Sequence, residues 1–203
     1  MEKRTIIGLV LIAVSTFLIF ISLLRKKEAF FNIRETICAH LKVFKRCPSK
    51  YIIFYVFPLL FSIGLAMVYE AGDRFYSELS VVLGIILSML FAILSILTAQ
   101  DYSVVNDNNQ KTIAKKVLKE TTNAIVFDSI LSLFLMLYGL VIVVLSGVET
   151  VENAFDLTLV KSVLSGVAYY IFTIILLNLL FIVKQMSKII EFNIEVKKSG
   201  ENN

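Results

Sequence analysis

The sequence predicts an all-α integral membrane protein, with an N-terminal anchor helix and two transmembrane helical hairpins carrying basic amphipathic cytoplasmic helices. Three observations predict it. The chain of 203 residues is 58% hydrophobic, with a mean hydropathy of +0.83. A soluble core of this size cannot hide so much apolar surface, so lipid must be its solvent. Five stretches have the length and apolarity of a bilayer span: Thr5–Leu24, Tyr51–Tyr69, Leu79–Ala99, Asn123–Leu145 and Ser162–Val183. Finally, Gly (8) and Pro (2) are scarce and no alternating barrel-type strands appear. Each span must then be helical, because lipid offers the backbone no hydrogen-bond partner.

The domain organisation follows in chain order: residues 1–24 as a transmembrane anchor, 25–50 as a basic amphipathic cytoplasmic segment, and 51–203 as a four-span module with a cytoplasmic C-terminal tail. The first span could instead be a signal peptide. Its apolar run is long for one, however, and "RKKEAF" follows it where a small-x-small cleavage site would stand. It reads as a retained anchor.

Segment 25–50 carries Arg25, Lys26, Lys27, Arg34, Lys42, Lys45, Arg46 and Lys50. Phe30, Ile33, Ile37, Leu41 and Phe44 recur at three- and four-residue steps, which places them on one helix face. Such a helix lies in the headgroup layer and snorkels its basic side chains, or else reads an anionic signal. Cys38, His40 and Cys47 do not make a metal site, since residues two apart on a helix diverge and no fourth ligand is near. Cys47 is an ordinary thiol or an acylation site.

The second span, Tyr51–Tyr69, ends in the short acidic loop "EAGDRFYSEL", after which Leu79–Ala99 returns across the bilayer. The polar turn "NDNNQ" then opens a helical run with Lys111, Lys115, Lys116 and Lys119, which should continue straight into the span Asn123–Leu145. The next loop, "SGVETVENAFDLTLVK", places Val148, Val151, Phe155 and Leu159 on one stripe and Glu149, Glu152 and Asp156 on another. It reads as a short interfacial helix or an acidic mouth. The last span is followed by Lys184, Lys188, Lys197 and Lys198.

Sixteen Lys and Arg therefore fall on one side, in segments 25–50, 100–122 and the tail, against four (Lys3, Arg4, Arg74 and Lys161) on the other. The positive-inside rule puts the N-terminus outside and the C-terminus in the cytoplasm, in a multi-pass topology.

One feature contradicts the hydrocarbon setting. Asp128 lies within the fourth span, where a carboxylate at mid-membrane costs about 2.5–3.5 kcal/mol to insert. The 15 Leu, Ile, Val and Phe side chains of that span offset this by at least about 4.5 kcal/mol. The span inserts, but the folded state calls for a partner. Asp128 is about 7–8 Å along the axis from Asn123, and Asn178 is equally far from Val183. The two stand level in one leaflet, so an amide-to-carboxyl bond between spans four and five is open. Ser129 and Ser132 lie close to Asp128, and Ser162, Ser165, Gly166, Tyr169 and Thr173 form a small and polar strip on the last span. The arrangement is either a bundle seam or the lining of a gated constriction.

No glycine loop for phosphate, nucleophile elbow or His-rich metal motif appears, so neither an enzyme nor a cofactor is expected. "VLKETTNAIVFDSILSLFLMLYGLVIVVL", "SGVAYYIFTIILLNLLFIVKQMSKIIE", "YIIFYVFPLLFSIGLAMVY" and "SVVLGIILSMLFAILSIL" together resemble small four- or five-span bacterial membrane proteins that stand beside antiviral defence genes, including cyclic-nucleotide systems. The resemblance covers residues 51–192 and rests on span layout. The anchor and segment 25–50 have no counterpart in that group. It implies a membrane effector of antiphage defence that oligomerises and permeabilises the inner membrane when triggered from the cytoplasm. The expected partners are the lipid bilayer, further copies of the chain, and an anionic ligand such as a cyclic nucleotide or a cytoplasmic protein, but no nucleic-acid polymer. Arg34, Lys42, Lys45, Arg46, Lys115, Lys116 and Lys119 would take the signal, and Asp128 and Asn178 would form the pair or gate. A non-catalytic scaffold for a soluble partner, or a small channel or transporter subunit, are the alternatives.

Overall fold

The computed structural model describes residues 52–99, 108–146 and 157–201, together with Gly8 and Val14, which are helical. The expected anchor, the basic segment 25–50 and the loop stripes between 147 and 156 lie outside these residues. Every described segment is helical or a short connection.

A π-helical turn, Ile52–Val56, opens into α1, Phe57–Val68. Pro58 explains the join. It has no N–H for the carbonyl four residues back, and its ring crowds that position, so the preceding turn widens. Helix α1 ends where Tyr69 turns extended (φ −140°, ψ 121°) and its N–H bonds the Leu65 carbonyl at 2.7 Å. A four-residue connection, Tyr69–Gly72, leads to α2, Asp73–Thr98. Asp73 sits in the first turn, where a carboxylate complements the exposed N–H groups. Helix α3 spans Asn108–Ser146 and α4 spans Leu157–Glu201.

Three helical segments are long and apolar enough to cross a membrane: Asp73–Thr98, Thr112–Val144 and Lys161–Phe192. Ile52–Val68 is apolar but shorter, about 25 Å at ~1.5 Å per residue, at the low end of what a ~30 Å hydrocarbon layer needs. The lysine-rich run ahead of the fourth span does continue into it as one helix. The tail after the last span is likewise unbroken helix. Helices α3 and α4, with 39 and 45 residues, reach roughly 58 and 67 Å, about twice the hydrocarbon thickness.

The packing differs from two hairpins side by side. Helix α2 packs on α3, α3 on α4, and α4 on α1, which gives the spatial order α1–α4–α3–α2. Helices α3 and α4 form the expected packed hairpin. The consecutive α1 and α2 do not: they share the connection Tyr69–Gly72 but little else. The reason lies in the faces. Helix α2 buries one stripe (Tyr76, Leu79, Leu83, Ile86, Leu87, Leu90, Leu97) and spends it on α3, whereas α1 buries only Pro58 and Ser62. The rest of α1 presents Leu60, Met67 and Val68 outward, as a helix does when its solvent is lipid.

The ends of the module are chemically distinct. Around Tyr69–Gly72, the connection end, small residues permit close approach. A Cβ on Gly139 would meet the Tyr76 ring at 3.4 Å, and one on Gly166 would meet Ala66 Cβ at 3.5 Å. At the other end, the lysine end, Lys115, Lys116 and Lys119 on α3 and Lys184 and Lys188 on α4 are exposed.

Candidate functional site: the polar seam between α3 and α4

Asp128 and Asn178 meet in the α3–α4 interface. Both are completely buried, at 0% exposure. Asn178 Nδ2 donates to Asp128 Oδ1 at 2.8 Å and lies 3.4 Å from the Ala124 carbonyl oxygen. The helical period sets up the encounter. Thr121, Asp128 and Ser132 fall at seven- and four-residue steps along one face of α3, while Asn178, Ile182, Gln185 and Ile189 fall at four- and three-residue steps along α4. Ile125, Leu135, Ile175 and Ile182, each at 0% exposure, belong to the buried apolar cluster on the same helices.

The seam is only partly satisfied. Thr121 and Ser129 donate to carbonyls of their own helix, Val117 at 2.8 Å and Ile125 at 2.9 Å. Asp128 Oδ2, Asn178 Oδ1, Ser132 Oγ and Gln185 Oε1 are buried with no partner among the described residues. All four are acceptors, and only the Ser132 hydroxyl can also donate. No Lys, Arg or His is among the buried described residues, so none of the described cations is buried beside Asp128.

The connection end is built differently. Ser165 Oγ accepts from the Ala71 N–H at 3.0 Å and donates to the Lys161 carbonyl at 2.8 Å. Ser162 donates to the Ala66 carbonyl at 3.3 Å, and the Tyr169 hydroxyl to the Tyr69 carbonyl at 3.4 Å. Tyr138 donates to the Leu164 carbonyl at 2.9 Å, and Ser146 to Asp73 Oδ1 at 2.6 Å. Phe75 stacks edge-on to Tyr169, with ring centres 5.1 Å apart, and Tyr76 approaches Tyr138 at 6.4 Å. The strip Ser162, Ser165, Gly166 and Tyr169 is thus the platform on which the end of α1 and its connection rest. Thr173 instead bonds within its own helix, to Tyr169. A groove of about 300 Å³ beside this platform is lined by Leu59, Ile63, Met67, Val163 and Val167, with Ser62 and Ser162 turned to carbonyls.

Among the residues expected to matter, Asp128 and Asn178 are brought together. Lys115, Lys116 and Lys119 stand exposed about two and a half to three and a half turns toward the lysine end, away from the pair but on the same unbroken helix. Arg34, Lys42, Lys45 and Arg46 lie outside the described residues. Gln185 is the seam residue that the span-by-span reading passed over. It follows Asn178 by seven residues, two helical turns on the same face, and that spacing was the available signal. No group of three or more His, Cys, Asp or Glu side chains able to hold a metal occurs among the described residues. Compared with known protein families, characterised proteins and solved structures, the chain matches none.

Proposed function

We propose that this multi-span helical membrane protein is a membrane effector of bacterial antiphage defence. A signal at its cytoplasmic, lysine-bearing end shifts α3 against α4, and the rearranged, oligomerised chain permeabilises the inner membrane. The observation that supports this reading is the half-satisfied polar seam. A buried network with orphaned acceptors is destabilising compared with an apolar one of the same shape. It persists where an alternative arrangement, with those groups in water, is useful. Lys119 and Asp128 are nine residues apart on one continuous helix, about 13–14 Å, so a push at the lysines moves the seam directly.

The test is expression of the full chain in bacteria with a membrane-potential dye. The reading expects loss of potential and arrested growth, both blunted in the surface variant K115Q/K116Q/K119Q. Unchanged potential and growth at high expression contradict it. A second reading, a scaffold for a soluble partner, is supported by the reach of α4, whose helix extends well past the last apolar residues of its span. Stoichiometric co-purification of one protein, with no conductance from the chain alone, would favour that reading.

A further inference from the structure

We infer that Asp128 and Asn178 form a proton-binding site, in which the neutral carboxyl group of Asp128 and the amide of Asn178 close a two-bond ring. One side of the ring is already made, from Asn178 Nδ2 to Asp128 Oδ1 at 2.8 Å. The other two atoms of the same two planar groups, Asp128 Oδ2 and Asn178 Oδ1, are both buried and both without a partner among the described residues. As a carboxylate, Asp128 brings two acceptors to a place that already has a surplus of acceptors. As an acid, it brings the one missing donor, and Oδ2–H can reach Asn178 Oδ1 by rotation about the soft terminal torsions of either side chain. A single proton thus satisfies both orphans and removes the charge.

The surroundings give a carboxylate little support. A buried ionised carboxyl group is ordinarily met by a cation or by two or three N–H donors. Among the described residues, only the Asn178 amide donates to Asp128. Helix α2, packed on α3, offers a buried face of leucine, isoleucine and Tyr76, and α1, packed on α4, buries only Pro58 and Ser62. The buried tyrosines Tyr76 and Tyr169 stand at the connection end, and Asp128 is the only charged residue type among the buried described residues. A small metal cation fits less well. It needs about six oxygens, whereas the cluster on this stretch of the seam is Asp128 Oδ2, Asn178 Oδ1 and the Ser132 hydroxyl, with Gln185 two turns away.

The proton comes from water, and no other bond is made or broken. With it, the α3–α4 seam is neutral and its central pair is satisfied on both sides. Without it, a carboxylate with one donor sits in hydrocarbon, so closure of the seam is linked to occupancy of the site. This goes beyond the effector reading and does not depend on it.

The experiment is infrared spectroscopy of the full chain in lipid vesicles at neutral pH. Expected is the C=O stretch of a neutral carboxyl group that shifts on deuteration and disappears in Asp128→Asn, whose amide can rebuild the ring and keep the fold. In Asn178→Leu the band should persist but move to higher frequency, as the acid loses its hydrogen bonds. Absence of any Asp128-dependent neutral band, or a band unmoved by Asn178→Leu, overturns the inference. If either variant fails to fold, ¹³Cγ-labelled aspartate in the unmutated chain decides. A neutral-acid resonance supports the site, and carboxylates alone refute it. A chain inert toward membrane potential that still shows the band would remove the effector reading and leave the proton site standing.

Discussion

The connection end and the α3–α4 seam use the same kinds of side chain to opposite effect. At the connection end, Ser165 spends its hydroxyl twice, on the Ala71 N–H and the Lys161 carbonyl, and Tyr138 and Tyr169 each find a backbone oxygen. In the seam, Ser132 finds no partner among the described residues, and Asp128 and Asn178 satisfy one of two faces. The aromatic rings Phe75, Tyr76, Tyr138 and Tyr169 fill the first region, while Ala124, Ile125, Ile175 and Ile182 are fully or almost fully buried on the helices of the second. Polar groups in a membrane interior therefore do not act alike. Bonded to backbone carbonyls they fasten helices, and left facing one another they make an interface that another arrangement can compete with.

The contrast can be broken at its strong side first. Tyr76 is 2% exposed and lies against Gly139 and Tyr138. Tyr76→Ala should lower stability by about 3–5 kcal/mol, as loss of a large buried aromatic does, read by reversible unfolding in detergent micelles. Asn178→Leu should cost less, roughly 1–2 kcal/mol, since interhelical hydrogen bonds in membranes are individually modest. Replacing both partners (Asp128→Leu with Asn178→Leu) should recover that loss or more, because the second change removes the carboxyl group that the first leaves stranded. A double variant weaker than the single one would mean that the pair carries more of the interface than its packing does. At the surface, Arg74 and Glu78 are bonded at 2.8 Å but both exposed. Arg74→Ala should leave the unfolding midpoint where it was, since exposed pairs add little.

Much of this was legible in the sequence, and the parts that were not share a cause. Apolar run length located the spans, and equal depth from the span ends placed Asp128 opposite Asn178, because axial rise is fixed by backbone geometry. The lysine run of α3 joined its span as read, since nothing between Lys111 and Asn123 breaks a helix. Which helix lies beside which was not legible. Chain order pairs the span of Pro58 with that of Leu83, yet α1 packs on α4 through Ser62, Ala66, Ser162 and Gly166. In lipid, every apolar face looks alike to a hydropathy count, and the choice is made by small residues and single hydrogen bonds. Pro58 signalled a distorted first turn, but a span counted by composition gave no weight to it. Gln185 was passed over because it stands beyond Val183, where the apolar run stops although the helix and its buried face continue.

The most direct test sets one serine from each region against the other. Ser165→Ala removes a hydroxyl with two partners, and Ser132→Ala removes one with none. Measured side by side in the full chain, Ser165→Ala should destabilise by about 1 kcal/mol and Ser132→Ala should stabilise by about 0.5–1 kcal/mol. Opposite signs are the predicted result, and destabilisation by both would contradict the account of the seam.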